Sequence, residues 1–205
     1  MKPSLIVSPW TYHLSDKNDV FLGEWAIPYS NKEDNLNYKI LPYHWDNRRK
    51  AQSDSRYISK LRKTLISEIT PVLNKLHKTN LSERSWNLII GFWLIRFLSV
   101  SFDRWSMLEV AVKNFDKLTT RFNKVNILDF IPSDTADASR KFRDDYWNHI
   151  FINYLIENFP SIEYLPLNYP LNKNSKKKDF KIKLHNEIRK FSKLIFNQSK
   201  NYLIK

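Results

Sequence analysis

A chain of 205 residues, 42% hydrophobic and 15% aromatic, has enough apolar material for one sizeable packed core, which excludes global disorder. Its two glycines, Gly23 and Gly91, exclude any glycine-rich phosphate loop, and the absence of cysteine excludes disulfides, a thiolate nucleophile and a Cys-ligated zinc. The formal charge is +13, but 11 Lys and Arg against 2 Asp and Glu lie between Lys173 and Lys205, so the first 172 residues carry only +4.

In chain order, Leu5-Ile6-Val7 reads as a short buried strand, and too short an apolar run for a signal-peptide core. Asp19-Val20-Phe21-Leu22-Gly23 reads as a second strand ending at a glycine, and residues 28–42, punctuated by Pro28 and Pro42, read as a loop. A helix is expected from about Asp54, where Tyr57, Leu61, Leu65, Ile69, Val72 and Leu76 recur at spacings of three and four. Pro71 is expected to kink it or to start a new helix. Ser82 is a candidate N-cap, with Glu83 in the first turn.

From Trp86 to Phe102 the sequence is apolar nearly all round. Its length, roughly 26 Å at about 1.5 Å per residue, and the inclusion of Asn87 and Arg96 favour a central buried helix over a membrane span. That helix is expected to run on to about Phe122. Val125–Phe130 reads as a third strand closed by Pro132, and Ser139–Phe159 as one helix. Pro160, Pro166 and Pro170 mark a linker over 161–178, and a basic amphipathic helix is expected over 179–204. This divides the chain into a globular domain over 1–160, the linker, and the C-terminal helix. The fold class is α/β and mostly helical, a small parallel sheet surrounded by helices.

Four polar constellations stand out. Gly23-Glu24-Trp25 places a carboxylate at a strand's carboxyl end, where open α/β sheets hold ligands; Glu24 there suits a substrate hydroxyl, or else is a structural cap. Tyr43-His44-Trp45-Asp46-Asn47-Arg48-Arg49 gathers a proton shuttle beside a carboxylate and two phosphate-binding guanidiniums; the alternative is that Asp46 caps the next helix while Tyr43 and Trp45 pack below. Arg96, Ser99 and Asp103 share a stripe of the apolar helix, continued by Arg104-Trp105. As buried charges they need partners, and an ion pair fixing the helix is the expected role. Asp145, His149 and Asn153 recur at i, i+4, i+8 and read as a solvated helix face on which Asp145 could hold His149 protonated. No His-x-x-x-His pair occurs among the five histidines, so a metal site is not expected.

Phe21-Leu22-Gly23-Glu24-Trp25, Tyr43-His44-Trp45-Asp46-Asn47-Arg48, the segment Arg84–Leu94 and Phe102-Asp103-Arg104-Trp105 occur in an order that resembles the N-terminal region of a bacterial transferase family associated with O-antigen and other surface-polysaccharide gene clusters. Asp145-Tyr146-Trp147-Asn148-His149 resembles a later segment of that family, and the likeness extends over about residues 5–159. It implies a glycosyltransferase-like enzyme acting on a lipopolysaccharide or similar surface-carbohydrate precursor, with a sugar-nucleotide donor and a carbohydrate acceptor as partners. Family members are longer, so the expectation is the acceptor-side N-terminal half of such an enzyme, a truncated chain whose donor site lies in a missing half or a separate chain. It brings no catalytic residues with it. On residue chemistry, Glu24, His44 and Asp46 are the catalytic candidates, with Gly23, Trp25, Arg48, Asp103 and Arg104 binding substrate. No cofactor is expected in this chain.

The basic C-terminal helix can dock onto the domain, lie on an anionic membrane surface or bind nucleic acid, though no nucleic-acid motif accompanies it; the expected location is cytoplasmic, peripheral to the inner face of the membrane if the helix binds anionic lipid. The rival reading is a non-catalytic module that binds a partner protein or a membrane through the same helix.

Overall fold

The computed structural model describes residues 2–14, 18–29, 38–122 and 130–167. The chain divides into two compact units, Met1–Asn123 with Pro132–Leu167, and Lys124–Ile131 with Asn168–Lys205. Every element named below belongs to the first. The strand expected over 125–130 lies, but for Phe130, outside the described residues, as does the basic C-terminal helix.

Leu5–Ile6 (β1) and Val20–Phe21 (β2) are buried on both faces, as unbroken apolar runs require, and pair in parallel with Leu5 opposite Val20. Residues 28–42 are not all loop: Lys39–Ile40 forms β3, parallel to β2. Further along, Leu118–Arg121 (β4) pairs in parallel with Ile162–Leu165 (β5).

The backbone of β1 joins the two pairings. The carbonyls of Ser4 and Ile6 accept from Val20 (2.8 Å) and Leu22 (3.0 Å) on the β2 side. Those of Pro3 and Leu5, which point the other way along a strand, accept from the Thr119 amide (3.1 Å) and the Thr120 hydroxyl (3.3 Å). A bridge between Ser4 and Thr119 completes the contact. The three-stranded sheet β1-β2-β3 and the two-stranded sheet β4-β5 therefore meet edge to edge at β1, with all strands parallel in the spatial order β3-β2-β1-β4-β5. Growth of the sheet reverses between β1 and β4, the pattern of open α/β sheets that bind ligands beyond their strands' carboxyl ends. The α/β, mostly helical class holds.

The connection from β3 to β4 is a hairpin of two long helices. The first, Arg48–His77 (α1), begins six residues before the expected start because the Asn47 side chain, not Asp46, accepts from the Lys50 amide at 3.1 Å. It continues through Pro71; Ser67, whose carbonyl loses its helical partner there, is exposed to water. The apolar stripe is buried at Leu61 and Leu65 but emerges at Val72 and Leu76. Lys78 ends the helix in the left-handed region, at φ 53°. Asn74 fixes the turn: its Oδ1 accepts from the Leu81 amide and the Trp86 indole, both at 2.9 Å, and its Nδ2 donates to the Leu81 carbonyl.

The second helix, Glu83–Asn114 (α2), is capped by Ser82 as expected. It stops eight residues short of Phe122, giving way to the Thr-rich β4. It is not buried throughout. Ser101–Leu108 is enclosed except at Arg104, whereas Leu88, Ile89 and Phe92 are 77%, 61% and 66% exposed.

The single helix expected over 139–159 is two, Thr135–Lys141 (α3) and Asp145–Ile156 (α4). Asp144 breaks the run by accepting from the Trp147 amide at 2.7 Å, capping α4. α4 packs on α2 through Phe151 against Phe97. The segment expected as the start of a linker is β5.

Candidate functional site

The loops leaving β2 and β3 meet the buried middle of α2. Gly23, Glu24, Trp25, Ile40, Leu41, Pro42, Tyr43, Asp46, Asp103 and Arg104 line a cavity of about 650 Å³ there, within the size range of small-ligand sites. After Gly23 the chain makes one 3-10 turn, Glu24–Ala26, which folds Trp25 back over the glycine. A Cβ on Gly23 would lie 2.1 Å from the indole ring, so glycine is needed for close approach and not for its backbone angles. The ring also meets Tyr43 edge-on at 5.8 Å, and its indole N–H is buried without a hydrogen-bond partner among the described residues.

Asp103 is the centre of the polar network. His44 Nε2 lies 3.0 Å from Asp103 Oδ1, the Arg104 guanidinium grips the other carboxylate oxygen, and the Tyr43 hydroxyl donates to the same group. Burial works to raise the Asp103 pKa. The bond from His44, the charge of Arg104 and the bond from Tyr43 together outweigh it and hold the carboxyl below its ordinary range. Burial first, then the charge and hydrogen bond of Asp103, push the Tyr43 phenol well above its ordinary value. Tyr43 therefore stays a neutral donor and Asp103 stays ionised across the physiological range.

Behind this front lies a second layer. His44 is buried at 7% exposure, and its Nδ1 is 3.9 Å from Asp54 Oδ2. Asp54, itself 3% exposed, accepts from the Trp45 indole at 3.0 Å and from Lys50 one turn earlier. Arg104 reaches the opposite way: its Nε and Nη2 both donate to Asn148 Oδ1 at 3.1 Å, tying α2 to α4, and its guanidinium stands 5.9 Å from the Trp25 ring.

The structure thus places Gly23, Glu24, Trp25, Asp46, Asp103 and Arg104 on one cavity wall or another, with His44 directly behind Asp103. Glu24 and Asp46 are exposed at its edge. Arg48 is exposed in the first turn of α1 and is not among the lining residues; the guanidinium in the cavity is that of Arg104. The carboxylates facing His44 are Asp103 and Asp54, not the neighbouring Asp46. Arg96 is exposed over the Phe92 ring, 5.7 Å away, so it does not pair with Asp103.

Two features were missed. Asp54 has no motif of its own in the sequence; it reaches His44 only because α1 starts at Arg48. The Asp145–His149–Asn153 face is not solvated. Asp145 is exposed, but His149 is 2% and Asn153 0% exposed, with Ser8 Oγ 3.2 Å from His149 Nδ1 and Asn153 Nδ2 donating to the His149 carbonyl at 2.7 Å. Burial lowers the His149 pKa to about 4, so the ring is neutral. The signal was present: Trp147, Ile150, Phe151, Ile152 and Leu155 surround these residues, and a helix apolar on every side is a buried one.

Residues 4–205 match the family described as LIC12162 family transferase, a span that runs beyond the resemblance over 5–159 and through the basic C-terminal segment. No curated protein and no solved structure matches the chain.

Proposed function

Because the chain belongs to the LIC12162 family of transferases, we propose that it is the acceptor-side part of a sugar transferase in surface-polysaccharide or O-antigen biosynthesis, and that the cavity between Gly23–Trp25, Tyr43–Asp46 and Asp103–Arg104 holds the acceptor saccharide. One observation carries this reading: the cavity brings three carboxylates, one guanidinium and a half-buried indole together at the carboxyl ends of parallel strands. Ionised carboxylates are acceptor-only groups that suit a polyol's hydroxyls, and an indole face suits a sugar ring's C–H surface. The same excess of negative charge disfavours a diphosphate, so the nucleotide-activated donor is not assigned to this cavity.

Roles follow from protonation and position. Asp103, held ionised, is a weak base but a strong hydrogen-bond acceptor and orients the acceptor hydroxyl. Glu24 or Asp46, at the rim, takes that hydroxyl's proton as its oxygen bonds to the donor's anomeric carbon and the nucleotide leaves with the bonding pair. Arg104 holds Asp103 and Trp25 in register. A nucleotide-activated donor would be met on the cytoplasmic side of the membrane, which is the location this reading requires.

The test is saturation-transfer NMR of the full chain with a panel of neutral and N-acetylated mono- and disaccharides. Asp103→Asn and Trp25→Leu are expected to weaken binding by about tenfold or more, as loss of one charged hydrogen bond or one stacking face does. Saccharide binding that survives both substitutions unchanged would overturn the assignment of the cavity.

A further inference from the structure

α2 is the one helix among the described residues long and apolar enough to cross a membrane, yet only 33% of its most apolar stretch is buried. The exposed part is organised. Arg84, Leu88, Phe92 and Arg96 recur every four residues, so they form one stripe on a single face, and Ile89 widens it. All five are exposed. The stripe is apolar in the middle and cationic at both ends, and the Arg96 guanidinium lies over the Phe92 ring, its charge at the margin of the patch. Lys75 and Lys78, at the adjoining end of α1, add two more exposed cations. Glu83, the neighbour of Arg84 in sequence, accepts from Ser67 of α1 at 2.8 Å.

From these observations we infer that the outward face of Glu83–Arg96 is a lipid-binding surface that seats the α1–α2 hairpin in the interface of an anionic membrane, with α2 in the membrane plane. A span across the bilayer is disfavoured by packing: α2 lies along α1, a helix rich in Lys and Arg, and Arg62 of α1 donates to Asn87 of α2 at 2.9 Å. A second copy of the chain is disfavoured by charge. Antiparallel pairing of the stripe sets Arg84 against Arg96 of the other copy, and parallel pairing sets each arginine against itself. An apolar centre with cationic ends fits a surface that is apolar in depth and anionic at its rim, as acyl chains under acidic headgroups are. None of the stripe residues lines the cavity.

Flotation of the full chain with phosphatidylcholine vesicles, with and without phosphatidylglycerol, tests it. Binding is expected only with the anionic lipid and is expected to weaken as salt is raised. Phe92→Glu, and separately Arg84→Gln with Arg96→Gln, are each expected to weaken it by about tenfold or more. As all these side chains are exposed, unchanged thermal unfolding in both variants shows that the fold persists. Because the chain has no cysteine, a dye on Leu88→Cys reports burial at this site alone: a blue shift on adding anionic vesicles is expected. No vesicle binding, equal binding by the variants, or a dimer that Phe92→Glu converts to monomer would each overturn the inference.

Discussion

At the scale of single residues, the buried ionisable groups define how the molecule responds to acid. His149 is 2% exposed, and burial holds it neutral with a pKa of about 4. Its unfolded value is about 6.5, so between those two pH values the unfolded chain binds the extra proton and the folded chain does not. Stability from this group is complete above the unfolded value and is lost as pH falls towards the folded one, by up to about 3 kcal/mol. Urea unfolding of His149→Gln should lack most of the decline that the wild type shows across that window. An identical slope in the two proteins would mean that His149 is solvated when folded. Asp103 acts in the same direction but at lower pH, because its carboxyl is held below its ordinary range. Residue chemistry was legible in the sequence as far as type: the candidates that line the cavity were visible as polar groups beside Gly23, Trp45 and Trp105. Their partners were not, since His44 meets a carboxylate 59 positions away and not its neighbour two positions on.

Helix ends were read best where a side chain caps them directly, as at Ser82, and worst where the cap sits one residue from a plausible rival. Asn47 takes the role that Asp46 could have had, which frees Asp46 to face the cavity. Strands β3, β4 and β5 escaped notice because each is two to four residues long and flanked by prolines or lysines, leaving no stretch for alternation to register. The α1–α2 turn carries a backbone cost that sequence alone does not reveal: Lys78, a β-carbon-bearing residue, occupies the left-handed region. Lys78→Gly should therefore stabilise the fold by about 0.5–1 kcal/mol in chemical denaturation. A loss of stability would show that the Lys78 side chain makes a compensating contact.

For the whole molecule, the governing feature is the parallel order β3-β2-β1-β4-β5. It lays the loops after β2 and β3 side by side, and the long helical return from β3 to β4 brings α2 across them, so that segments from positions 23, 43 and 103 form one wall. The fold class could be argued from alternating apolar strands and helical periodicity. The strand order could not, because it rests on which carbonyls of a two-residue strand face which neighbour. The chain belongs to a family of transferases, while the acceptor role we propose depends on the three segments acting as a unit. The measurement that tests this most directly is a double-mutant cycle on unfolding free energy with His44→Gln, Asp103→Asn and the pair. A buried, directly bonded pair joining the β3 loop to α2 predicts a coupling of about 1–3 kcal/mol; strictly additive effects would contradict it and dissolve the site into separate pieces of packing.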